Sequence, residues 1–201
     1  MEISAKLVKE LRDQTGLPMM QCKHALEETG GDMEKAVDLL RKQGAKTAEK
    51  RAHRSTGNGG IGTYIHHDGR LGVMVEVDCE TDFAAKSDHF QQFLKDLSLH
   101  VAFHNPLAVA REQVPAEIVS KEREIILGQI EQDEKIRAKP DAVKQKVADG
   151  RIDKFFAERV LLEQPFVRDD KLSVKDVLRQ LIQKTGENVA IRRFARFKVG
   201  E

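Results

Sequence analysis

The sequence predicts an α+β fold: an N-terminal module of three helices, then an α+β core with a small antiparallel sheet and long helices. Three observations carry this. Glycines punctuate three short amphipathic segments within residues 1–45. An alternating run, Leu71, Val73, Val75, Val77 and Cys79, follows the turn pair Asp68-Gly69. Residues 115–163 then place apolar side chains at helical spacing among dense charge.

Ser4 is a suitable N-cap for the first helix, with Ile3 and Val8 placed as a hydrophobic staple. Leu7, Val8 and Leu11 form its stripe, and Gly16 stops it. Met1 leads straight into this capped helix, with no basic-then-apolar leader. Pro18 opens the second helix and Gly30-Gly31 closes it. Asp32 caps the third, where Met33, Ala36, Val37 and Leu40 repeat at i, i+3, i+4 and i+7, and Gly44 reads as its end. Three helices this short form a compact, ubiquitin-associated-like module, whose core is marginal alone and suits a docking piece. On the second helix Met19, Cys22, Ala25 and Leu26 share one face, while Met20 points away. An outward methionine is adaptable contact surface or an incidental surface residue.

Lys46, Lys50, Arg51 and Arg54 then extend a basic segment to residue 54, read as a solvated helical extension. Residues 55–60 read as a flexible linker, and 61–201 as the core. Tyr64 and Ile65 enter a hairpin through a two-residue type I′ turn at Asp68-Gly69. Its second strand runs into Thr81-Asp82-Phe83-Ala84-Ala85, an acid and a large aromatic on a corner between two rigid elements. Such a corner either plugs a partner's pocket or folds back as the lid of the local core. Ser87 caps the next helix, striped by Phe90, Phe93, Leu94, Leu97 and Val101, with His100 at the stripe's edge. Ile118, Ile125, Ile126 and Ile130 line one long helix, and the pattern resumes after Pro140 as a second. A helix from Ser173 to Gly186 precedes a closing strand, Val189 to Val199, with Ile191, Phe197 and Val199 inward and Arg192, Arg196 and Lys198 outward.

The 34 basic and 33 acidic residues leave a formal charge of +1, which argues against a global nucleic-acid binder. Cys22 and Cys79 form no CxxC pair, so a reduced, cytoplasmic setting is expected. No stretch approaches the ~20 apolar residues of a membrane span. The chain has neither GxxxxGK[ST] nor a GxGxxG after a strand, and its histidines show no convincing metal-ligand spacing. No cofactor, no metal and no enzymatic activity are expected.

The order of motifs resembles the bacterial elongation factor Ts family in its short, single-core form. The resemblance rests on Val8-Lys9-Glu10-Leu11-Arg12, Thr15-Gly16, Met19-Met20, Cys22-Lys23, Ala25-Leu26 and Gly31-Asp32, and on the Arg41-Lys42 to Gly44-Ala45 exit. It continues through Glu76-Val77-Asp78-Cys79-Glu80-Thr81-Asp82-Phe83, His100-Val101-Ala102, Gly150-Arg151, Gln164-Pro165-Phe166-Val167 and Ile191-Arg192-Arg193-Phe194. It implies a guanine-nucleotide exchange factor for elongation factor Tu. Arg12, Met19, Met20 and Lys23 would dock on the partner's nucleotide-binding domain. Thr81, Asp82 and Phe83 would enter near its magnesium and phosphate site, and His100 would contact a second region. A single hairpin and corner, where longer family members carry two related core halves, implies a non-covalent homodimer joined through core strands including the last. Ala84 stands where the family commonly has Val. Two other readings compete: a ubiquitin-associated-type binding module on an unrelated core, indifferent to Phe83, and an RNA binder using Lys46 to Arg54 and Arg192 to Lys198.

Overall fold

The structure, a computed structural model, describes residues 3–201. Met1 and the lead it was expected to form lie outside the described residues. Helices α1 (Ala5–Thr15), α2 (Met19–Glu28) and α3 (Met33–Arg51) enclose a core of their own, including Val8, Leu11, Cys22, Leu26, Ala36 and Leu40. Local chemistry sets their ends. Ser4 Oγ accepts the Leu7 N–H at 3.3 Å and Asp32 accepts that of Lys35 at 3.1 Å. Gly16, at φ 67°, donates its N–H to the Arg12 carbonyl. Gly44 is not a stop. It is buried within α3, where a Cβ would lie 2.7 Å from Gln183 Oε1, so it permits a close helix crossing.

The expected linker at 55–60 is half strand, because β1 (Asn58–Ile65) begins at Asn58. Its glycines serve packing: a Cβ on Gly60 would meet Leu94 Cδ1 at 2.9 Å, and one on Gly62 would meet Ser98 Oγ at 2.6 Å and the Leu94 carbonyl at 2.7 Å. The connection to β2 (Leu71–Cys79) is longer than a two-residue turn. Gly69 N–H reaches the His66 carbonyl at 2.9 Å, and among these residues only Gly69 is left-handed, at φ 66°. Asp68 keeps negative φ and accepts the Arg70 N–H instead.

A single-turn helix α4 (Asp82–Ala85) leads to α5 (Asp88–His104). Then α6 (Ala116–Gln132), the short α7 (Glu134–Arg137) and α8 (Asp141–Arg159) make the expected helical pair, closed around Ile126, Ile130, Ala148 and Ile152. Ile118 and Ile125 stay partly exposed, outside that closed core. A two-stranded ribbon, β3 (Pro165–Phe166) and β4 (Asp169–Ser173), precedes α9 (Val174–Thr185) and β5 (Val189–Lys198).

The main sheet is antiparallel in the order β1-β2-β5. Val73, Val75, Val77 and Cys79 face inward onto Phe90, Phe93, Leu94, Leu97 and Val101 of α5, and onto Leu181 and Ile182 of α9. The last strand departs from simple alternation. Val77 pairs with Ile191 but Glu76 pairs with Arg193, so Arg192 is an extra residue. This bulge flips the parity. Phe194 and Arg196 turn toward α5, where Arg196 Nε donates to the Ala102 carbonyl, while Phe197 and Val199 are exposed. Phe197 thereby joins Ile61, Ile65 and Met74 on an open apolar sheet face.

The two cores are bolted together. Gln183 Nε2 donates to Gln21 Oε1 at 3.0 Å, and Arg51 donates to the Ile182 carbonyl at 3.2 Å. Among the described residues no helix is long and apolar enough to cross a membrane.

Candidate functional site

The corner is built by its anchors. Cys79 is buried at the end of β2 and donates its thiol to the Thr81 carbonyl at 3.1 Å. Thr81 caps α4, its Oγ1 accepting the Ala84 N–H at 3.2 Å. Ala84 and Ala85 are buried, so the turn's inner side is seated and its outer side must project. That outer side is Asp82 and Phe83, and Phe83 is 84 % exposed. A lid over the local core is therefore excluded.

Asp82 accepts a hydrogen bond from Lys86 Nζ at 2.7 Å, one helical turn on. That bond is the chief reason its carboxyl titrates below the ordinary carboxylate range. Asp82 thus presents a carboxylate at neutral pH, held by an exposed lysine that an incoming group can displace. Behind the corner, Glu187 binds Thr81 twice: the Thr81 N–H donates to Oε2 at 3.0 Å and its hydroxyl to Oε1 at 2.6 Å. Nothing in the local sequence marks Glu187, which lies more than a hundred positions along the chain.

Arg12, Met19, Met20 and Lys23 are all exposed, on the last turn of α1 and the first turns of α2. Met19 was expected on the buried stripe. It opens α2, where no neighbouring turn covers it, and half its surface is free. With Met20 it makes an exposed apolar pair at the start of α2, with Lys23 one turn on.

His100 sits apart from both surfaces. It is fully buried, so the expectation that it directly contacts a partner does not fit this structure. Its Nδ1 accepts the Val167 N–H at 3.2 Å, which leaves Nε2 to carry the proton and donate to Gln164 Oε1 at 3.0 Å. Gln164 Nε2 in turn donates to the Glu158 carbonyl at 2.7 Å. The imidazole stacks on His104 and Phe166, and burial pushes its pKa down to about 4, so it is neutral. Its work here is to hold β3 from both ends, through Gln164 before it and Val167 after it.

Among the described residues no group of three or more His, Cys, Asp or Glu side chains is arranged to hold a metal ion. What the arrangement offers is two exposed groups of side chains on separate cores, one holding Met19 and Met20, the other an acid beside an aromatic.

Residues 5–201 match the profile of the family described as Elongation factor TS. Relatives named Elongation factor Ts match along the whole length. The protein of Solidesulfovibrio magneticus is 50 % identical over 199 residues, covering 99 % of this chain and 98 % of its own. That of Desulfotalea psychrophila is 51 % identical over 200 residues, covering all of both chains. That of Thermotoga petrophila is 48 % identical over 201 residues, covering all of this chain and 98 % of its own.

Proposed function

This chain belongs to the elongation factor Ts family, and from that premise we propose how its two surfaces divide the work. Its function is guanine-nucleotide exchange on elongation factor Tu, promoting GDP release in the elongation phase of protein synthesis. It works by binding and not by catalysing a chemical reaction. The observation that carries the mechanism is Phe83, a large ring held 84 % exposed on a capped turn. Such a ring gains by entering an apolar pocket, and a pocket that opens only when the nucleotide site is distorted makes that gain specific to the empty state.

Residues 1–54, the ubiquitin-associated-like module, dock through Arg12, Met19, Met20 and Lys23 on the partner's nucleotide-binding domain. Residues 61–201 supply the wedge. Thr81 caps and orients it, Phe83 separates partner elements, and Asp82 leaves Lys86 to compete for hydrogen bonds near the magnesium and phosphate site. Because the chain favours the empty state, it and the nucleotide weaken each other's binding by the same factor. His100 acts from inside, by holding the residues on either side of β3 in place.

The chain forms a non-covalent homodimer through the open sheet face. Ile61, Ile65, Met74, Phe197 and Val199 are each between 48 % and 73 % exposed on or beside that face, an apolar surface that a second copy would cover. Both cysteines are buried and free, consistent with a reduced cytoplasmic setting and with pairing without a disulfide.

The test is release of a fluorescent GDP analogue from elongation factor Tu. Acceleration that rises with added chain and saturates is expected. A folded chain that leaves release from a partner of the same source unchanged would overturn the proposed mechanism.

A further inference from the structure

We propose that Glu187 is a positioning residue for exchange: with Asn188 it locks the Thr81–Phe83 corner to the exit of the three-helix module, so that both contact surfaces move as one body. This rests on the exchange reading above and adds the part that transmits force between its two surfaces.

Helix α4 is a single turn of four residues, far too short to be stable by its own hydrogen bonds. Its order comes from the Thr81 cap, and the cap is aimed by Glu187. The one hydroxyl proton of Thr81 goes to Glu187 Oε1 at 2.6 Å, so its oxygen is turned to accept from Ala84. The Thr81 N–H goes to the other carboxylate oxygen at 3.0 Å. Two charge-assisted bonds to one residue fix both its backbone and its side chain.

Glu187 is itself held. It follows Gly186, whose left-handed φ of 73° ends α9 and reverses the chain toward the corner. Asn188, only 6 % exposed, ties the same turn to two other places. Its N–H donates to Glu80 Oε1 at 2.6 Å, and its side-chain amide to the Arg54 carbonyl at 2.9 Å. Arg54 closes the loop on Glu80 at 3.3 Å. Glu80's carboxyl is held below its ordinary range, chiefly by the Asn188 N–H. Corner, α9–β5 turn and module exit therefore form one network.

A wedge does work only if the reaction force has somewhere to go. When Phe83 pushes on the partner, the corner must not yield against the docking face. A compliant joint would let the module stay docked while the wedge rode passively, so docking energy would not reach the nucleotide site. A purely structural role predicts otherwise. The Thr81 side of the clamp is exposed, so water can replace the lost bonds and the fold should tolerate the change.

The experiment titrates wild type, Glu187→Ala and Glu187→Gln against elongation factor Tu loaded with fluorescent GDP, reading plateau rate, half-saturating concentration and thermal midpoint. Glu187→Ala should lower the plateau about tenfold and move the half-saturating concentration less than about twofold, because docking is intact. Glu187→Gln, which keeps one acceptor, should fall between, and midpoints should stay within about 2 °C. In a Thr81→Val background the added Glu187→Ala change should cost less than about threefold, since its partner hydroxyl is already gone. An unchanged plateau, full additivity with Thr81→Val, or parallel loss of plateau and thermal midpoint overturns the proposal. A wild-type chain that fails to accelerate release is a separate result, and would overturn the exchange mechanism on which the proposal rests.

Discussion

Replacing Phe83 by alanine separates contact from folding, because the ring contributes almost nothing to the chain's own core. It is 84 % exposed, and its neighbours Ala84 and Ala85 make the local anchor without it. The change should therefore move folding stability by no more than about 0.5 kcal/mol, the usual size for a surface site. The loss on the partner is larger. Taking the lower figure of ~150 Å² for a phenylalanine, ~125 Å² is free to be buried, worth ~3 kcal/mol at ~25 cal/mol per Å². Full use of that area corresponds to a fall in exchange rate of about 100-fold, and use of half to about tenfold. Stopped-flow release of a fluorescent GDP analogue at saturating chain measures it, with urea unfolding of the same variant beside it. A wild-type rate from the folded variant would refute the wedge. So would a loss of stability as large as the loss of exchange, since the ring would then belong to the core.

Three further outcomes follow from the structure. His100 is pushed by burial down to about 4 from 6.5, so the unfolded chain takes up a proton that the folded one refuses as pH falls between those values. Stability from this group is complete above pH ~6.5 and should fall by roughly 2–3 kcal/mol by pH 4.5, a slope that urea titrations should find reduced in His100→Gln. Gly62→Ala would place a Cβ 2.7 Å from the Leu94 carbonyl, and the forced separation of β1 from α5 should cost about 1–3 kcal/mol in denaturant unfolding. Phe197→Asp, on the open sheet face, should convert a dimer to a monomer in sedimentation velocity while leaving the far-ultraviolet circular dichroism spectrum intact. A wild-type chain that already sediments as a monomer at micromolar concentration would refute the proposed pairing.

Much of the candidate site was legible because it depends on neighbours in sequence. An acid and an aromatic between a strand end and a helix cap had to lie on a corner, and Met20 had to leave the stripe of Cys22, Ala25 and Leu26. The hairpin turn and Met19 changed for local reasons, but most of the readings that changed depend on partners distant along the chain. Gly44 looked like a helix stop and Gly60 like part of a linker, since a glycine needed for close approach and one needed for flexibility are the same residue in a string. The extra residue at Arg192 reversed the inward and outward sides of the last strand beyond it, leaving Ile191 inward as expected, and only pairing with β2 reveals it.

By itself, then, the sequence determined most of the element types and their caps, the place of the Asp82-Phe83 corner and the family, because periodicity, capping and motif order are local or collinear signals. The tertiary structure alone decided that Phe83 projects and does not cover the local core, that His100 is interior, that an apolar sheet face is left open, and that Glu187 grips Thr81 across more than a hundred residues. The physical reason is range: burial and hydrogen-bond partnership depend on what packs opposite a residue, which no window of neighbouring residues contains.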